Sequence, residues 1–134
     1  MIVTVVLSLS LTGSGALAAA SLTPQLQKLK QSGAPQEKVS IMVHFREQVD
    51  TRSFAHRSDR RAARAEMLQA LKGKATASQQ PLHAFLRGQG VESRGLWIIN
   101  AMTAEVPLAL VDILAAWPGV EILDVNASVA PPTP

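Results

Sequence analysis

An α+β domain with the element order strand, helix, strand, strand, helix, strand is the fold class that the 134-residue sequence predicts. Three observations predict it. The stretch "VSIMVHFR" alternates Val39, Ile41, Val43 and Phe45 against Ser40, Met42, His44 and Arg46, the period of two that a half-buried strand requires. From Asp59 toward Arg87, the residues Leu68, Leu71, Ala75, Ser78, Leu82, Phe85 and Leu86 recur at helical steps apart from the last neighbouring pair, which lines them along one side of a long helix. Beyond Gly88 and Gly90, "RGLWIINAMTAEVP" offers two short β-prone runs back to back, before a second helical stripe and a last run, "VEILDV".

Taken in order, residues 1–20 read as a secretory signal peptide. An apolar stretch of about ten residues from Ile2 to Leu11 is too short to span a bilayer, and the small residues after it offer Ala-x-Ala cleavage sites at Ala18 or Ala20. This implies a secreted protein, extracellular or periplasmic, although no Lys or Arg precedes the apolar stretch. Residues 21–38 form a polar lead-in with Leu22, Leu26 and Leu29 at helical spacing between Pro24 and "SGAPQ", a short amphipathic helix. The first strand follows from Val39. Asp59 starts the long helix, where its charge suits the positive end of the helix dipole, and Pro81 predicts a kink or two abutting helices because it removes a ladder donor.

The hairpin strands are expected at Arg94 to Asn100 and Met102 to Val106, with Pro107 in the first turn of the second helix. That helix presents Leu110, Val111, Leu114 and Trp117 inward, "WPG" stops it, and Val120 and Ile122 alternate against Glu121 in the last strand. The tail, residues 127–134, has three prolines in its final four residues and reads as extended. Two crossovers of this kind give the split β-α-β, ferredoxin-like plan (βαββαβ): a four-stranded antiparallel sheet with two helices on one face. The helices bury one side of such a sheet. The strand around Trp97 is apolar on both sides, with Leu96 and Ile98 against Trp97 and Ile99, so the sheet is expected to offer an apolar face to a partner.

Composition excludes several functions. Cysteine is absent, which removes disulfides, thiolate metal sites and thiol catalysis, and the formal net charge of +3 comes largely from the cluster Arg46 to Arg64. His44, His56 and His83 lie on a strand, a loop and a helix without metal-ligand spacing, and no nucleophile motif or phosphate loop occurs, so neither an enzyme nor a bound cofactor is expected. An acylphosphatase-like pairing of Arg46 with Asn100 lacks the glycine-rich anion loop. RNA-binding domains of this topology stack bases on strand aromatics, whereas "MTAEV" has none and carries Glu105, so no nucleic-acid partner is expected. Asn126-Ala127-Ser128 fits the glycosylation acceptor pattern.

In order and spacing, "VSIMVHF", a basic helix carrying "ATASQQPLHAFL", "GLWIINAMTAEVP" and "ILAAWPGVEILDVN" resemble the propeptide (peptidase inhibitor) domain of secreted subtilisin-like serine proteases, over about residues 39–126. The resemblance implies a partner, the protease catalytic domain, two of whose surface helices pack on the open sheet face while the C-terminal tail lies substrate-like in the cleft. The domain would then be an intramolecular-type chaperone and a temporary inhibitor. Carried over by position, Val125, Asn126, Ala127, Ser128, Val129 and Ala130, within Val125 to Pro134, are the cleft-binding segment; Trp97 and Ile99 are face residues covered by the protease, and Asn100 and Glu105 flank a hairpin that meets it. Two departures stand out. The Asp-Thr-Gly, His-Gly-Thr and Gly-Thr-Ser-Met segments that carry the protease triad do not occur, and "APPTP" is a poor cleavage end. The chain thus reads as a stand-alone inhibitor or as the N-terminal part of a protease precursor. The alternative is a small exported binding module for another protein or a polyanion. Stable membrane insertion is not expected.

Overall fold

The alternating stretch Val39 to Phe45 becomes the central strand of the sheet. The computed structural model describes residues 19–126. Its elements are β1 (Ser21–Leu22), α1 (Pro24–Ser32), β2 (Lys38–Phe45), α2 (Arg52–Ala55), α3 (Arg60–Gly88), β3 (Ser93–Leu96), β4 (Ala101–Pro107), α4 (Leu108–Ala115) and β5 (Val120–Val125). The signal peptide expected at the N-terminus and the tail after Asn126 lie outside the described residues.

The sheet has the order β1-β5-β2-β4-β3. Strands β2 to β5 pair antiparallel, and β1 pairs parallel with β5. The α+β class holds, but the sheet is five-stranded and mixed where four antiparallel strands were expected, and among the described residues the short helix α2 joins the lead-in helix and the two domain helices that were expected. The physical reason is the outer edge of β5, a row of backbone donors and acceptors that a sheet does not leave bare when a neighbouring segment can pair with it. Ser21 and Leu22 sit opposite Ile122 and Leu123, and just upstream Ala20 donates to the Ala115 carbonyl at 2.8 Å. The lead-in is therefore part of the fold: Leu26 is fully buried, while Leu29 stays exposed.

The helices meet one face of the sheet around a single core. Ile41, Val43 and Phe45 of β2, Met102 and Val106 of β4 and Leu123 of β5 pack against Leu26 of α1, Leu82 and Leu86 of α3, and Val111 and Leu114 of α4. Asp59 caps α3 by accepting from the Ala62 amide at 3.2 Å. The helix passes through Pro81 as one element instead of breaking there. Ala77 and Pro81 are both exposed, so the carbonyl that Pro81 deprives of a donor lies on the solvent side, where water replaces it.

Two strand expectations are corrected. The first hairpin strand ends at Leu96, and Trp97 to Asn100 form the turn. Asn100 takes a φ of 41°, a conformation that asparagine enters more readily than Trp or Ile. In β5, Val120 and Leu123 are buried and Ile122 is exposed, because His44 pairs with Ile122 while Phe45 pairs with Val120. Glu121 is the extra residue of a β-bulge, which turns the alternation over by one position.

Candidate functional site

Residues opposite one another in an antiparallel ladder share a face. The pairings Val43 with Met102 and Leu123, and Ile41 with Ala104 and Val125, point to the helices. The intervening positions point away and make three rows across the sheet. One row is Ile122, His44, Ala101 and Leu96; the next is Asp124, Met42, Thr103 and Arg94; the third is Ser40 with Glu105. Helices α1, α3 and α4 all insert into the core on the other face, and α2 contacts α3, so none of the four covers these rows.

This face, left uncovered by the described helices, is graded. Its row nearest the β3–β4 turn is apolar apart from His44: Ala101 is fully buried by its neighbours, Leu96 is half-buried, and Ile122 is 37% exposed. The adjoining row keeps Met42 and Thr103 half-buried at its centre and charged residues at both ends. Asp124 is held in place by the Thr23 hydroxyl, which donates to it at 2.9 Å. Such a surface, apolar inside and charged outside, suits a protein partner better than a polyanion.

The residues singled out from sequence separate into two groups. At the apolar end, Ile98 and Ile99 are exposed at the tip of the turn. Trp97 leans toward α3, where the Lys72 ammonium lies 5.1 Å from its ring centroid, so the indole belongs to the helix side and not to the uncovered face. Asn100 is only 3% exposed. Its amide donates to the Glu47 carbonyl at 2.7 Å and to Ser78 Oγ at 3.1 Å, and its carbonyl accepts from Gln79 Nε2 at 3.0 Å. Asn100 thus ties the turn to α3 and to the segment after β2. Gln79, 4% exposed, also donates to the Leu96 carbonyl at 2.9 Å, and the sequence reading overlooked it. Its signal was its place in the series 75, 79, 82, 86, where a polar residue on a buried stripe implies an internal partner.

At the other end, Glu105 is exposed on the uncovered face opposite Ser40. Val125 packs half-buried on the helix side, and Asn126 prolongs the ladder by donating its amide to the Ser40 carbonyl at 2.9 Å. Glu105 and Asn126 line one shallow hollow with Ser40 and Arg94. Five residues of β4 separate this end from Asn100, about 17 Å at ~3.4 Å per residue. Ala127, Ser128, Val129 and Ala130 lie outside the described residues.

Among the described residues no three His, Asp or Glu side chains gather as a metal site. The His83 ring nitrogen Nδ1 pairs with Ser93 Oγ, and burial, with the nearby Arg87 charge, holds its pKa below the ordinary histidine value. No helix among the described residues is long and apolar enough to cross a membrane. No protein-family model, curated protein or solved structure matches the chain, so its functional reading rests on the uncovered face and on the order of its sequence segments.

Proposed function

We propose that the chain is a propeptide-type companion of a subtilisin-like serine protease, acting as inhibitor and folding chaperone on a ferredoxin-like core made by β2, α3, β3, β4, α4 and β5. The observation that carries the reading is the uncovered sheet face, with Ile122, Leu96 and Met42 toward solvent and the chain leaving the same sheet through Asn126 beside Glu105. A protease surface laid across these rows removes the apolar area from water, and residues 127–134 enter the cleft as a substrate does. Binding the native protease and not its unfolded chain both stabilises it and excludes substrate. Asn100 and Trp97 then act by holding the turn that presents Ile98 and Ile99.

The test is inhibition of subtilisin by the chain without residues 1–18. Competitive slowing is expected. Removing residues 127–134, or replacing Met42 and Ile122 together by Asp, weakens inhibition by about tenfold or more, equivalent to ~1.4 kcal/mol. Undiminished proteolysis across a panel of such proteases overturns the reading. A strongly salt-dependent affinity for heparin or RNA instead favours the exported binding module.

A further inference from the structure

A second recess lies on the opposite side of the molecule from the proposed protease surface, and it is a groove of about 710 Å³ between α3 and β3. Lys72, Thr76, Gln80, His83 and Arg87 line its helix wall at helical spacing, one stripe over from the buried residues Leu71, Ala75, Leu82 and Leu86. The facing wall is β3, the last strand of the sheet, whose outer edge pairs with no strand among the described residues. Gly95 keeps that wall low: a Cβ there would sit 2.3 Å from Gln79 Oε1 and 3.2 Å from His83 Nε2. Trp97 closes one end with Lys72 poised over its ring.

The geometry points to an extended acidic peptide as the occupant, lying along the β3 edge with a carboxylate side chain on Lys72 over the Trp97 ring. Length supports this. Lys72 and Arg87 are fifteen residues apart on α3, about 22 Å at ~1.5 Å per residue, the span of six or seven extended residues at ~3.3 Å each. Charge supports it equally, because Lys72 and Arg87 flank the groove and no Asp or Glu among the described residues lines it. Glu92 stands beyond Arg87 in an adjoining hollow, which makes the Lys72 end the stronger anchor. The free strand edge supplies main-chain pairing, the usual way an extended peptide gains affinity without a deep pocket. The chain's own termini do not qualify, since residues 1–18 and 127–134 contain no Asp or Glu.

The experiment titrates the full chain with a capped hexapeptide, Asp-Val-Thr-Val-Thr-Glu, and follows tryptophan emission. Its Asn/Gln counterpart and inorganic phosphate serve as comparisons, and Trp97→Phe identifies the reporting ring. Saturable change with the acidic peptide is expected, weakened about tenfold or more in Lys72→Glu, less in Lys72→Gln, and reduced by salt. Lys72 is exposed on the surface of α3, and circular dichroism checks that each variant is folded. Equal affinity for the neutral peptide, unchanged binding in a folded Lys72→Gln chain, or phosphate competing as well as the peptide overturns the proposal. Self-association abolished by Lys72→Glu, without peptide binding, assigns the groove to a second copy and overturns it too.

Discussion

Replacing Asn100 by alanine removes three side-chain hydrogen bonds at a position that is 3% exposed and holds φ at 41°. A typical net loss is about 1 kcal/mol per bond. The Glu47 carbonyl belongs to an exposed residue and regains water, so its share is small, whereas Gln79 Nε2 keeps only the Leu96 carbonyl as partner. Alanine also pays about 1 kcal/mol for the left-handed backbone. The expected destabilisation is therefore about 3 kcal/mol, a large part of the roughly 5–15 kcal/mol that holds a domain of this size together. Asn100→Gly loses the same bonds but not the backbone term and is expected to be more stable than Asn100→Ala by about 1 kcal/mol. Urea unfolding monitored by tryptophan emission reads both differences. A loss below about 1 kcal/mol for alanine, or glycine being the worse of the two, refutes the view that this amide and its φ organise the turn.

The folded-state pKa of His83 lies below the ordinary value of 6.5, so in that window the unfolded chain binds more protons and stability falls as pH drops through 6.5 toward the lowered value. His83→Gln should flatten that part of the stability–pH curve relative to the parent; parallel curves between pH 8 and 5 would contradict the burial of the ring. A chain beginning at Thr23 loses the β1 ladder, the Ala20–Ala115 hydrogen bond and the packing of Ala20 and Leu22. It is expected to lose about 2 kcal/mol, seen as a lower midpoint in thermal melts, and an unchanged midpoint would show that the lead-in contributes nothing.

What the sequence determined by itself are the elements whose signal repeats within their own length. The alternation around Ile41, Val43 and Phe45, the stripe through Leu71, Ala75, Leu82 and Leu86, and the apolar side of α4 all appear where their periods place them. Burial on one face of a regular element depends on residues two to four positions apart, and those are adjacent in the chain. The tertiary structure alone decided features that depend on distant partners. Trp97, Ile98 and Ile99 have strand propensity, yet they turn because Asn100 finds Glu47, Ser78 and Gln79 across the fold. Ile122 faces outward because β2 skips Glu121, and Ser21 and Leu22 become a strand because β5 has an open edge. Gln79 looked like one polar residue among several in "SQQP" until its amide met the Leu96 carbonyl. A hydrogen bond between residues far apart in the chain leaves no periodic trace in either segment, and so it becomes visible only once the chain has folded.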